Sequence, residues 1–386
     1  MKLLYISTPA FADCDFPLIK AFQEKGIDVT YVILMAPFSL RSTLVDIKQI
    51  YPKTGVFPAT VYPELKVYEK YIDMTKVYVS NRTGCHFYNI STWLEDYKLK
   101  KFIKTGNYDI IHCDTYLRGS RRKIHNLSNC FVTTFHDPIP HIGASKWDNV
   151  QTRINTIKGS QGIVLLNKKQ QKDFCNLFNV DPKKILINRL GVYTAIQIFL
   201  KKKNVKTNNI LFFGRITLYK GLEYLCEAMR IVRKSIPDAS LTIAGGGKMY
   251  FDIETYKKLD YIEIINRYVG MEELSELLYR CDISVCPYTE ATQSGVIMTS
   301  YAMCKPVVAT NVGGLGEMVN SGHSGILVPP KDTKALANAI IKLLGDRQLL
   351  EAMGKYIQQE YFEGNSSWST IADKYIEYYK KLLIKE

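Results

Sequence analysis

The stretch NNILFFGRITLYKGLEYLCEA, residues 208–228, decides the reading of the chain. An apolar run, Ile210 to Phe213, has the length and composition of a buried strand. It breaks at Gly214 and, after Arg215 and Lys220, gives way to a pattern with helical spacing. A strand that passes through a glycine and two cations into a helix opens a βαβ unit, and ligands of open α/β sheets bind beyond the carboxyl ends of the strands. Arg215 and Lys220 sit there. Arginine grips two oxygens in a planar fork and lysine supplies a mobile point charge, so the pair suits a diphosphate leaving group whose charge grows during reaction. Two surface cations beside a helix start would show the same spacing.

The plan repeats on both sides of this stretch. KLLYIS, a loop to Asp15, a helix from Phe16 to Lys25 closed by Gly26, and the strand DVTYVIL form a βαβ opening. Further strands fit DIIHC (109–113), CFVTTFH (130–136), GIVLLN (162–167), SLTIAGGG after Pro237, DISVCP (282–287) and PVVAT (306–310). The alternation predicts two doubly wound, mostly parallel sheets, and 386 residues are enough for two such domains. Residues 188–208 lose the pattern and end in a lysine run, which places a linker there. The expected domains are 1–190 and 191–368. The helix 369–386, with a stripe of Ile371, Ala372, Tyr375, Ile376, Tyr379, Leu382 and Leu383, is expected to dock on the first.

Composition narrows the function. Apolar residues make up 46% and charged ones 23%, a globular balance without low-complexity tracts. The apolar opening stops at Ser-Thr-Pro and no later run reaches membrane-spanning length, so a cytoplasmic protein is expected. Nine cysteines stand singly, with no C-x-x-C pair and no zinc-like spacing, which reads as reduced, buried thiols. The net charge of +14 is uneven: 27 basic against 16 acidic residues up to position 200, and 24 against 21 beyond it. Such an excess favours a polyanionic partner without choosing among nucleic acid, anionic membrane and phosphate-bearing substrate.

A second anion-binding element is readable at 282–310. Ser294 is a good N-cap, Gly295 lets a ligand approach the backbone, and 295–304 has helical character, so free N–H groups would point at an anion. Glu290, in the loop before that cap, could accept hydrogen bonds from sugar hydroxyls.

These residues resemble the retaining nucleotide-sugar glycosyltransferases of the GT-B fold, specifically glycosyltransferase family 4. The resemblance rests on FFGRITLYKGLEYLCEA, YVGMEELSELLYRCDISVCPY, TEATQSGV, KPVVATNVGGLGEMV followed by SGILVPPKD, and VTTFHD. It implies two Rossmann-like parallel-sheet domains facing across a cleft, the first binding the acceptor and the second the nucleotide sugar. It implies that Arg215 and Lys220, with Gly214, hold the donor diphosphate, that Gln293, Ser294, Gly295 and Val296 line and cap it, and that Glu290 and His136 contact the donor sugar. Thr299 falls where many members carry a second glutamate touching the ribose, and a threonine would bind that hydroxyl more weakly. The Gly-Gly usual in the first loop is replaced by TPAFADCDF.

The implied reaction moves a sugar, with retention, from a nucleotide-diphosphate sugar (UDP or GDP) to a glycan or lipid-linked acceptor in bacterial surface polysaccharide (capsule, O-antigen or lipopolysaccharide) synthesis. It uses no cofactor and no metal, the diphosphate being matched by two cations and a helix terminus. The Asp-x-Asp at 13–15 lies in an opening βα loop and reads as coincidence or acceptor contact. YKLKKFIKTG (97–106) and RGSRRK (118–123) would suit an anionic membrane at its inner, cytoplasmic face. His112 reads as packing beneath the site, and His141 is open. AGGGK (244–248) either borders the donor or is a simple turn, and Glu317 reads as a first-turn helix residue. Rival readings are a GT-B nucleotide-sugar epimerase or sugar phosphorylase, a basic nucleic-acid-binding protein, for which no recognisable motif accompanies the 26 tyrosines, and a non-catalytic sugar-nucleotide sensor.

Overall fold

The computed structural model describes residues 1–85, 89–128, 130–139, 150–201 and 208–384. His141 and most of the lysine run at 201–206 lie outside the described residues. The chain forms two compact units: Met1–Gly191 with Trp368–Glu386, and Val192–Ser367.

In the first unit the strands are β1 (Lys2–Ser7), β2 (Asp28–Met35), β3 (Gly55–Pro58), β4 (Val77–Asn81), β5 (Ile110–Cys113), β6 (Cys130–Phe135), β7 (Gly162–Leu165) and β8 (Ile185–Ile187). They lie in the order β3-β4-β2-β1-β5-β6-β7-β8, all parallel except β3, which runs antiparallel to β4. Leu3 to Ile6 and Val29 to Ile33 are almost wholly buried on both faces, which is why these strands read as continuous apolar runs instead of alternating ones. A core of Leu4, Ile6, Val32, Leu99, Ile111 and Phe131 joins sheet to helix.

The first helix spans Ala12–Glu24, one turn earlier than expected, because Asp13 and Asp15 occupy its first turn, where carboxylates complement the dipole. The last helix, Trp368–Ile384, packs on Ala12–Glu24 within this unit and buries Ile371, Ala372, Tyr375, Ile376, Tyr378 and Tyr379. Leu382 and Leu383 are only half-buried, and Tyr378, absent from the expected stripe, donates to the Lys184 carbonyl at 2.6 Å.

The second unit carries β9 (Asn209–Phe213), β10 (Ser240–Ala244), β11 (Ile262–Ile265), β12 (Ile283–Cys286), β13 (Val307–Thr310) and β14 (Gly325–Val328). All are parallel, in the order β11-β10-β9-β12-β13-β14. The order reverses between β9 and β12, so the loops leaving those two strands part to opposite faces and leave a crevice at their carboxyl ends. Strand β9 runs through Gly214 into the helix Leu222–Ser235, whose Leu222, Leu225, Cys226, Met229 and Val232 are buried.

All nine cysteines are free thiols, and six are buried. Cys85 is exposed and Cys175 and Cys304 are half-buried, so burial of every thiol does not hold. Among the described residues no helix is long and apolar enough to cross a membrane.

Candidate active site

In the second unit the loops after β9 and β12 meet at the reversal point, and backbone geometry fixes them there. Gly221 has φ +62°, and a Cβ at that position would lie 2.1 Å from the Pro287 carbonyl oxygen. Gly313, φ +48°, similarly brings the loop after β13 against the Ala291 carbonyl. The Thr289 amide donates to the Tyr219 carbonyl at 2.8 Å, a direct tie between the two loops.

On this frame Lys220 is half-buried, its Nζ 3.6 Å from the centroid of the Tyr288 ring. Tyr288 is fully buried, and its hydroxyl lies 3.4 Å from Ser294 Oγ. One tyrosine therefore links the lysine to the start of the helix Gly295–Ala302. Ser294 occupies the N-cap position but its side chain makes no capping bond; its own amide meets Met318 Sδ at 3.3 Å. The expected capping by Ser294 is thus corrected, since its hydroxyl is turned to Tyr288. Gly295 and Val296 are the first two residues of that helix, where backbone N–H groups have no partner within the helix. Gly214, φ +112°, faces the Val296 side chain, which places the Arg215 loop beside the same helix start.

Arg215 is exposed, and among the described residues no carboxylate pairs with Arg215 or Lys220. Burial pulls the Lys220 ammonium down to about 8 from its ordinary 10.5. A desolvated cation with no carboxylate paired to it is the electrostatic condition for an anion site. Glu290 is exposed and Gln293 half-buried in the same loop. Thr299 is buried, and its hydroxyl donates to the Gly295 carbonyl at 2.8 Å, which leaves it only lone pairs to offer a ligand. Glu317 does stand in the first turn of a short helix, Leu315–Met318. The AGGGK segment contributes Gly247, whose amide donates to Asn266 Oδ1 at 3.1 Å.

The first unit has its own polar cluster at the carboxyl ends of β1, β5 and β6. His136 Nε2 and Asp114 Oδ2 are 2.7 Å apart, and the Phe11 ring stacks on His136 with centroids 3.9 Å apart. Asp15 is buried beside Asp114 and accepts from the Tyr31 hydroxyl at 2.9 Å. Burial first, then the Asp114 charge, pushes the Asp15 carboxyl well above its ordinary value. Burial acts on Asp114 in the same sense, but the His136 charge and hydrogen bond outweigh it and hold Asp114 low. The two shifts have opposite signs: the surroundings favour the protonated form of Asp15 and the ionised form of Asp114, which faces His136. The fully buried Arg153 holds the next turn through the Asp137 and Pro138 carbonyls.

Cys14, Asp114 and His136 offer ligand atoms within 4.8 Å of one another, a spacing compatible with a metal ion. The Cys14 thiol instead donates to the Phe11 carbonyl at 3.1 Å, and burial keeps it protonated. Asp13 and Asp15 do not form a chelating pair: Asp13 accepts from the Leu44 amide at 3.1 Å while Asp15 turns to Tyr31. His112 is buried between Tyr379 and Thr134, and burial lowers it to about 4, so it is a neutral core residue.

Residues here that were not singled out from sequence include Tyr288, Asp114, Phe11 and Tyr193, whose ring stands against Gly295. Asp114 was within reach, since it and His136 follow neighbouring parallel strands. Tyr288 was not, because its partner lies far away in sequence.

Residues 207–346 match the family model for glycosyl transferases group 1. Fold and matched segment together define a GT-B glycosyltransferase. Among its relatives is an uncharacterized glycosyltransferase of Methanocaldococcus jannaschii, 26% identical over 348 residues, 83% of this chain and 88% of the relative. Solved structures with the same fold include a glycosyltransferase from Rickettsia africae, TM-score 0.67 at 20% identity over 100% of both chains. Anabaena Alr3699/HepE in complex with UDP aligns with TM-score 0.64 at 16% identity, over 99% of this chain and 100% of that one.

Proposed function

We propose that the chain is a retaining, metal-independent transferase that moves a sugar from a UDP- or GDP-sugar to a glycan or lipid-linked acceptor of a bacterial surface polysaccharide. The observation that carries the donor reading is the convergence of Lys220 and the Gly295–Val296 helix start on one buried tyrosine, with no carboxylate to neutralise them among the described residues. Support for a nucleotide donor comes from the UDP-bound neighbour of the same fold. The domains then divide the work: residues 1–190, with the C-terminal helix, take the acceptor, and 191–368 the nucleotide sugar.

In the reaction the bond from the sugar's anomeric carbon to the diphosphate oxygen breaks and its electron pair stays with the diphosphate. The acceptor oxygen bonds to that carbon from the same face, and its proton passes to the departing phosphate oxygen. Arg215, Lys220 and the helix amides stabilise the charge that grows on the leaving group. Glu290 and Gln293 bind sugar hydroxyls, Thr299 offers a lone pair toward the ribose, and His136, oriented by Asp114, contacts the transferred sugar.

Calorimetric titration with UDP and GDP, followed by transfer assays with the matching sugar nucleotide, tests this. Arg215→Ala and Lys220→Ala should each slow transfer by about two to three orders of magnitude, the cost of one preorganised donor. A chelator should leave the rate unchanged, and the product anomer should match the donor. Near-normal turnover in both variants at saturating donor would remove the proposed diphosphate site.

A further inference from the structure

Helix Ile90–Gly106 buries a largely polar face and exposes an apolar one. Its buried residues are Thr92, Glu95, Asp96, Leu99 and Ile103. The two carboxylates are taken by Arg121, whose Nε donates to Asp96 at 3.0 Å and whose terminal nitrogen reaches Glu95; Glu95 also accepts from the Ser80 hydroxyl. Outward stand Ile90, Trp93, Leu94 and Tyr97, exposed by 82%, 62%, 40% and 65%. Their spacing of three and four residues makes one stripe along the helix.

The stripe continues through Lys101 and Lys104, both exposed, with exposed Lys98 beside it. Arg118, Arg122 and Lys123 are exposed on the segment that packs against this helix. Glu95 and Asp96 are the only acids within 90–106 and 118–127, so neither segment exposes a carboxylate. Four contiguous large apolar side chains differ from the single exposed residues found on any surface. Tryptophan and tyrosine beside lysines form the composition that settles at a bilayer interface, rings at headgroup depth and ammonium groups on phosphates.

We propose that this face docks the protein on a bilayer bearing anionic headgroups, with the Ile90–Tyr97 half in the interface and the Lys98–Lys104 half on the headgroups. Charge complementarity selects this occupant. A second copy placed symmetrically on the face would set six cations against six like charges. The inference deepens the lipid-linked acceptor reading, and its test does not require catalysis.

Cosedimentation of the full chain with phosphatidylcholine vesicles, alone or with about 30% phosphatidylglycerol, measures the docking. Binding should be at least about tenfold stronger on the anionic vesicles and should weaken with salt. Trp93 emission should shift to the blue, and Trp93→Phe should lose that signal while keeping most binding. Trp93→Ser/Tyr97→Ser and Lys101→Glu/Lys104→Glu should each cut partitioning by about tenfold or more, with nucleoside diphosphate binding and thermal unfolding unchanged. Absence of vesicle binding, or equal binding by all variants, overturns the proposal. Self-association lost in the Trp93→Ser variant, without vesicle binding, would assign the face to a second copy and overturn it too. Vesicle binding without sugar transfer would count against the enzymatic reading alone.

Discussion

Replacing Lys220 by methionine should stabilise the free protein while abolishing its proposed chemistry. The methionine keeps the length of the side chain and its packing over Tyr288, and removes the charge. The displacement of Lys220 from 10.5 to about 8 corresponds to about 3 kcal/mol by which its environment disfavours the ammonium. The Tyr288 ring face, 3.6 Å from Nζ, returns about 0.5 to 2 kcal/mol of cation–π attraction. Lys220→Met should therefore gain roughly 1 to 3 kcal/mol at pH 7. The sign with pH is fixed. Below pH 8 the lysine is charged in folded and unfolded chains alike and the full penalty is present. Between 8 and 10.5 the folded protein releases the proton while the unfolded chain keeps it, so the wild type gains stability and the gap to Lys220→Met closes. Urea unfolding of both proteins at pH 7, 8.5 and 10 measures this. A variant no more stable than wild type at pH 7, or a gap constant with pH, would refute the placement of an unneutralised, desolvated cation.

The same lysine sets a pH dependence for the donor: its dissociation constant should be flat below pH 8 and rise toward tenfold per pH unit above it, and Lys220→Arg should flatten the profile in a binding titration. Gly221→Ala, with its Cβ aimed at the Pro287 carbonyl and φ at +62°, should cost about 1 to 3 kcal/mol in denaturant unfolding and weaken nucleoside diphosphate binding with it. Arg121→Met leaves Glu95 and Asp96 buried without their cation and should destabilise the first unit by about 3 to 5 kcal/mol. Asp114→Asn keeps a hydrogen bond to His136 but removes the charge, and should lower the transfer rate at least about tenfold with nucleotide affinity unchanged.

How much of this was legible depends on what each residue answers to. The central strands β1, β2, β9 and β12 are buried on both faces, and their apolar runs announce them. The strands absent from the reading, β3, β4, β8, β11 and β14, are mostly edge strands or near-edge strands of three to five residues. Their mixed sequences, such as VYVSN and IEII, carry no period long enough to detect. The helix Ile90–Gly106 shows a stronger failure. Ile90, Trp93, Leu94 and Tyr97 have the spacing of a core face, yet the acids on the opposite side are the buried ones, because Arg121, distant in sequence, pairs with both. Arg215, Lys220 and Ser294 could be singled out from local chemistry. The tyrosine that links two of them could not, since only the β9–β12 adjacency brings it under the lysine.

The backbone contacts at Gly221 and Gly313 bear on how such a site can change over evolutionary time. Because the strand-end loops are braced main chain to main chain at these two glycines, part of the geometry of the proposed anion cradle is held independently of the side chains that project from them. In the proposed donor site, substitutions elsewhere on these loops can alter sugar selectivity while the two backbone braces persist, and a designer seeking new donors should leave the two glycines untouched.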